Sequence, residues 1–177
     1  MIAVNKYVNR QHLLQYSLDE QLIHGMRVSN LAYQVAKELG ESEEFCHDLA
    51  VAGMLHDIGK EAVSGDLDDM DAPLIVEEIH YVRLHAQASY EILKKEGYKE
   101  TILLAVRHHH ENYDGSGYPD NLSGEAIPLG ARIIRVCDVY AALTSDRPYR
   151  QAFESQSAVQ LMIEEIKDFD VKVFLAF

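Results

Sequence analysis

The chain has 177 residues, 47% of them hydrophobic and 25% charged, with four prolines, no tryptophan and a net charge of −13. That length suits one domain with a proper apolar core, and the composition is that of a soluble globular protein. So acidic a surface repels polyanions and argues against DNA or RNA as a large-footprint partner, although bound metals or a few local cations can reverse the field inside one cleft and admit a small phosphorylated ligand.

The N-terminus, Met1-Ile2-Ala3-Val4-Asn5-Lys6, lacks the charged-then-apolar pattern of a signal peptide. No apolar run approaches the length of a membrane span, so the expectation is a cytoplasmic protein without a membrane segment. Helical periodicity begins at Leu22, Met26, Leu31, Val35 and Leu39, and Gly40 reads as its stop. Ser42, followed by Glu43 and Glu44, reads as a cap and acidic first turn for a second helix through Phe45, Leu49, Val51 and Leu55. Gly59 to Pro73, with its aspartates, reads as a loop. Helices are expected at Leu74 to about Tyr81, Leu84 to Glu96 and Glu100 to about His109. Ile127-Pro128 opens another, and Ser155 to about Lys167 reads as the last. Nothing alternates like a strand for long, and no repeat or linker is visible, so the fold expected is all-α, one domain over 1–177. Cys46 and Cys137 have no CxxC spacing and read as small core residues.

The chemistry concentrates in His109-His110-Glu111-Asn112-Tyr113-Asp114-Gly115-Ser116-Gly117-Tyr118-Pro119. Adjacent imidazoles and carboxylates can hold a divalent metal, and the glycines let backbone approach a ligand closely. Four other places supply matching groups. Glu20 and His24, at i, i+4, share a helix face and could reach one ion; alone they read as a surface pair near a helix N-terminus. His56-Asp57-Ile58-Gly59-Lys60 follows an apolar helix and offers a nitrogen and a carboxylate at one point; a polar turn is the alternative. His85 lies on an otherwise apolar helix, where a hydrogen-bonded core histidine is the commoner reading. Asp138, within Ile133-Ile134-Arg135-Val136-Cys137-Asp138, needs a cationic partner that an arginine would supply as well as a metal. Taken together, several regions of a helical bundle supplying His, Asp and Glu make a multinuclear metal centre. His12, His47, His80 and His108 read as surface or core residues.

His56-Asp57 with distant His and Asp resembles the HD superfamily of metal-dependent phosphohydrolases. HDIGK at 56–60 followed by HHExxDGxGYP at 109–119 is similar to its HD-GYP subgroup, and the likeness runs from about residue 20 to the C-terminus. The resemblance implies an all-α domain of roughly seven to eight helices around the metal site, which cleaves cyclic di-GMP or a related cyclic dinucleotide such as cyclic GMP-AMP through a metal-bridging hydroxide. It implies two or three divalent ions, iron or manganese, with nickel or zinc also suited to such ligands. His24, His56, Asp57, His85, His109, His110 and Asp138 would hold the two core metals, with Asp57 as the bridge. Glu20 stands where a carboxylate helps to hold a third. Lys60, Arg147 and Arg150 would contact substrate phosphates, and Tyr118 the substrate or a bound water; Asp57 and Lys60 would be the catalytic pair. The product would be a linear dinucleotide, or a mononucleotide after a second cut.

Three departures bear on substrate. Ala141 stands where the family has a carboxylate, and Ala86 where a proline usually follows the histidine. After HDIGK, where the family has a KPGKL-like segment, this chain reads Met70-Asp71-Ala72-Pro73-Leu74, preceded by Asp66, Asp68 and Asp69, so that two lysines are exchanged for acidic or neutral residues. These keep two alternatives open: an HD phosphohydrolase for another nucleotide, and a weakly active module that binds a cyclic dinucleotide.

Overall fold

The computed structural model describes residues 18–62, 75–146 and 150–177. Among them the chain is helical: α1 (Leu18–Glu38), α2 (Glu43–Leu55), α3 (Ile75–Lys95), α4 (Glu100–Arg107), α5 (Leu129–Leu143), α6 (Ser155–Glu164) and α7 (Val171–Ala176). Gly40 ends α1 as expected. It takes φ +80, and the Glu41 N–H reaches back to the Ala36 carbonyl at 3.1 Å. Ser42 caps α2 by accepting from the Phe45 N–H at 3.2 Å.

α5 is the centre of the packing. Ala131, Ile133, Ile134, Val136, Cys137 and Ala141 are buried on it, and it touches α1, α2, α4, α6 and α7. A helix apolar on so many sides belongs inside a bundle. Val28, Ala32 and Val35 of α1, Leu49 of α2 and Ile102, Leu103 and Val106 of α4 complete the core around it. Burying such side chains contributes roughly 1.5–3 kcal/mol each.

Three boundaries differ from the sequence reading. The two helices expected on either side of Val82-Arg83 are one helix of 21 residues, because no glycine or proline interrupts it. Residues 59–62, read as the start of a loop, are helical, while the acidic segment 66–71 lies outside the described residues. The last helix is not α6. It ends at Glu164, the 3-10 turn Ile166–Asp168 follows, and α7 is capped by Asp170, whose carboxylate accepts from the Lys172 N–H at 2.9 Å and from Arg132 of α5. No described helix is long and apolar enough to cross a membrane.

Candidate metal centre

Five parts of the chain converge at one point of the bundle. α1 brings His24, the turn after α2 brings His56 and Asp57, and α3 brings His85. The turn after α4 brings His109 and His110, and α5 brings Asp138. Their ligand atoms form two groups. Asp57, His85, His109 and His110 make one, and His24, His56 and Asp138 the other, with the atoms of each group within 4.8 Å of one another.

Asp57 stands between the groups. Its Oδ1 is 3.2 Å from His85 Nε2 and 4.0 Å from His109 Nε2, and its Oδ2 is 3.3 Å from His56 Nε2. Asp138 Oδ1 lies 2.9 Å from His24 Nε2 and 3.7 Å from His56 Nε2. Lys60 Nζ closes on Asp57 Oδ2 at 2.6 Å.

The histidines are oriented from behind. His56 Nδ1 donates to the Gly53 carbonyl at 2.8 Å, and His109 Nδ1 to the Val106 carbonyl at 2.6 Å. Each bond keeps a proton on Nδ1 and aims Nε2 at the centre, so the neutral ring presents its lone pair there, as a metal ligand requires. His85 Nε2 is 3.4 Å from His109 Nε2 and 3.1 Å from His110 Nε2. Three ring nitrogens so close need a shared proton or a cation among them. His56 Nε2 and Asp57 Oδ1 are buried without a hydrogen-bond partner, an arrangement that is costly unless something binds there. Converging nitrogen and carboxylate donors fit divalent transition metals.

The electrostatics agree. Burial and the neighbouring His110 hold His109 well below its ordinary value, and burial drops His110 to about 3, so both are neutral and able to ligate. Burial opposes charge on His56 as well, yet the Asp57 and Asp138 carboxylates lift it to about 10. Asp57 and Asp138 resist burial in the same way: His56 and Lys60 hold the first well below the usual carboxylate range, and His24 and His56 the second.

The loop after His110 is braced from inside. Glu111 is 1% exposed and its carboxylate accepts from the Asp120 N–H at 2.7 Å and the Leu122 N–H at 3.1 Å. A Cβ on Gly117 would lie 2.5 Å from Glu111 Cα, so only glycine allows the loop to fold back on itself there. The Tyr118 N–H donates to the His110 carbonyl at 3.1 Å, and the Tyr118 ring stacks on the His110 ring with centroids 4.8 Å apart. Tyr118–Pro119 is cis. His108, Glu111 and Asp120 form a third group of possible ligands, but Asp120 is paired with Arg107 at 3.1 Å and Glu111 holds the loop backbone.

The remaining expectations divide. Glu20 sits on α1 one turn before His24, is exposed, and belongs to neither of the two groups. Arg147 lies outside the described residues. Arg150, read as a substrate contact, instead places its guanidinium on the C-terminal end of α5, donating to Ala142 O and Leu143 O at 3.0 Å each. Uncompensated helix-end carbonyls attract a cation, which is the physical reason for its place. Ala141 is 1% exposed within the apolar core, so it is a packing residue of α5. Two residues that the sequence reading did not single out as site residues meet the loop that carries Tyr118. Arg83 has its Cζ 5.3 Å from the Tyr118 ring centroid, and Arg135 donates from Nε to Asn112 Oδ1 at 3.1 Å.

A family model described as HD domain matches residues 8–173. The chain is 43% identical over 136 residues to the cyclic di-GMP phosphodiesterase response regulator RpfG of Xanthomonas campestris pv. campestris, covering 75% of this chain and 36% of that protein. It is 37% identical over 165 residues to the cyclic di-GMP phosphodiesterase PA4108 of Pseudomonas aeruginosa, covering 93% of this chain and 40% of that protein. The chain thus spans well under half the length of these curated relatives. In fold it resembles Bd1817, a HDG"Y"P protein from Bdellovibrio bacteriovorus, with a TM-score of 0.70 at 19% identity over 91% of this chain and 53% of that one. With His56-Asp57 followed by the His109–Pro119 element, and with the family match running nearly end to end, the chain belongs to the HD domain family and to its HD-GYP subgroup.

Proposed function

We propose that residues 1–177 form a metal-dependent phosphodiesterase domain that hydrolyses a cyclic dinucleotide, cyclic di-GMP or a relative such as cyclic GMP-AMP. The observation that carries this reading is Asp57. Its carboxylate stands between two groups of inward-facing ligands and keeps one buried oxygen unpartnered.

His24, His56 and Asp138 would hold one ion, and His85, His109 and His110 another, with Asp57 shared between them. Such ions, iron or manganese by the family resemblance, make water nucleophilic near neutral pH and draw charge from phosphoryl oxygens. Glu20 is exposed and one turn from His24, so a third ion rests on a change of its side chain toward the centre. The reaction adds water across one phosphodiester. An oxygen–phosphorus bond forms, the bond from phosphorus to the 3′ oxygen breaks, and that oxygen leaves with a proton, opening the ring to a linear dinucleotide.

The chain's own residues orient and stabilise this exchange. Lys60, 2.6 Å from Asp57 Oδ2, sets a cation beside the shared carboxylate, where an incoming phosphate oxygen can take its donor. Burial raises the Tyr118 phenol above its ordinary value, so it stays protonated and donates a hydrogen bond at neutral pH. Arg147 is retained as a phosphate contact from the family resemblance, whereas Arg150 serves α5.

The test pairs metal analysis of anaerobically purified protein with product analysis after incubation with cyclic di-GMP and cyclic GMP-AMP. Turnover with manganese or ferrous iron, lost in Asp57→Ala, is expected. A fully metallated protein that leaves every cyclic dinucleotide intact would falsify the reading.

A further inference from the structure

A cyclic dinucleotide carries two phosphates, and the ligand cluster accounts for the one being cut. On a chain of net charge −13 the second needs a separate source of positive charge. Most cations near this end of the bundle are spent. Arg107 is paired with Asp120 and Arg132 with Asp170, and Lys60, beside Asp57, serves the phosphate being cut. Among the described residues, Arg83 and Arg135 have no carboxylate partner.

Both face the same place. Arg83, exposed on α3, lies over the Tyr118 ring, and that ring stacks on His110. Arg135 sits three residues before Asp138 on α5, the spacing that puts two side chains on one helix face. Its Nε donates to Asn112 of the same loop, its Cζ lies 5.9 Å from the Phe169 ring centroid, and its charge is felt at both His110 and Tyr118. Two guanidiniums near one loop, one over the Tyr118 ring and one bonded to Asn112, match a phosphate in charge and in fork geometry.

We propose that Arg83 and Arg135, next to Tyr118, form the subsite for the second, uncleaved phosphate of a cyclic dinucleotide. This rests on the phosphodiesterase reading above and adds to it where the other half of the substrate lies. The segment Met70–Leu74 lacks the two lysines of the family's pattern, and these two arginines supply cationic charge from other elements.

The test compares two substrates across Arg83→Ala, Arg135→Ala and the double variant. Cyclic di-GMP has the second phosphate; bis(p-nitrophenyl) phosphate is a single diester without one. For each single variant, kcat/KM on cyclic di-GMP is expected to fall roughly ten- to a hundredfold further than on bis(p-nitrophenyl) phosphate, mostly through KM, with partial recovery in the Arg→Lys forms. Calorimetric titration of cyclic di-GMP into metal-free protein should show a weaker Kd by a similar factor. Equal losses on both substrates, or an unchanged KM and Kd, would overturn the subsite. If wild-type protein cleaves bis(p-nitrophenyl) phosphate but no cyclic dinucleotide, the phosphodiesterase reading fails. The titration then decides the subsite separately: arginine-dependent binding upholds it, and its absence overturns it.

Discussion

The Gly59 N–H donates to Ser89 Oγ at 2.9 Å, and a Cβ on Gly59 would come to 2.5 Å from the Ser89 amide nitrogen. The turn that carries His56 and Asp57 is therefore docked, backbone against backbone, on the helix that carries His85. This contact sets the 3.2 Å approach of Asp57 Oδ1 to His85 Nε2. Alanine at 59 has to push α3 away, at a cost of about 3 kcal/mol. Gly59→Ala should melt markedly lower in a thermal scan and purify with less metal than wild type. Ser89→Ala leaves the Gly59 N–H buried and unpaired, for a loss of about 1–3 kcal/mol. Wild-type melting and metal content in Gly59→Ala would show that the packing at this turn does not set the site.

Glu111 follows two expected ligands in sequence, yet its carboxylate is turned away from them, onto the N–H groups of Asp120 and Leu122. Glu111→Ala strips both amides of their acceptor inside the protein and should cost about 3 kcal/mol. The loop bearing Tyr118 should loosen while the ligand histidines stay in place. Hydrogen exchange at residues 117–122 should accelerate before global unfolding, and metal content should hold. Loss of metal in step with stability would mean that Glu111 ligates after all.

Much of this was legible in the sequence because the chemistry is written in adjacent residues. His56-Asp57 and His109-His110 each deliver two donors at one point whatever the rest of the chain does, and His24, His85 and Asp138 follow from the family pattern. Glu111 misleads because side-chain direction after a helix end depends on the turn, and this turn swings the carboxylate inward. Arg83 and Arg135 could not be singled out. They come together only when α3, α5 and the loop carrying Tyr118 are packed, and nothing local marks that meeting. The place of Arg150 was hidden for a similar reason, since the open carbonyls at the end of α5 compete for a guanidinium. In the fold, helix type was plain from periodicity. Boundaries were less so, as at α3, where a polar interruption without glycine or proline does not break a helix.

The two ligand groups should empty unequally. His24→Ala and Asp138→Ala each remove a donor from the group with His56 and leave the other group intact. Asp57→Ala removes the carboxylate that stands between His56 and His85. Elemental analysis is expected to find about one ion fewer in the first two variants and near-complete loss in the third, with ligand loss costing roughly an order of magnitude or more in affinity. Equal metal content in Asp57→Ala and Asp138→Ala would remove Asp57 from its shared position.

Metal uptake should release a proton, and His56 is its source. Without metal, burial works against an imidazolium there, but Asp57 and Asp138 raise the group from 6.5 to about 10, so it is charged at pH 8. His109 and His110 are already neutral at that pH and contribute nothing. Ligation needs the His56 Nε2 lone pair, so the proton must leave when a metal enters. Because the folded value is raised, the stability His56 lends the metal-free protein is complete below 6.5 and is lost as pH rises through about 10. Asp57 and Asp138, whose values are lowered, lend a contribution that is constant across that window and is lost only in acid. Metal-free protein should therefore melt at lower temperature as pH is raised from 7 to 10. Over the same range apparent manganese affinity should climb roughly tenfold per unit, flattening near the top. Titration calorimetry at pH 8 in buffers of different ionisation enthalpy should report about one proton released per protein, and His56→Ala should abolish it. A buffer-independent heat in the wild type would mean that His56 is neutral before the metal arrives.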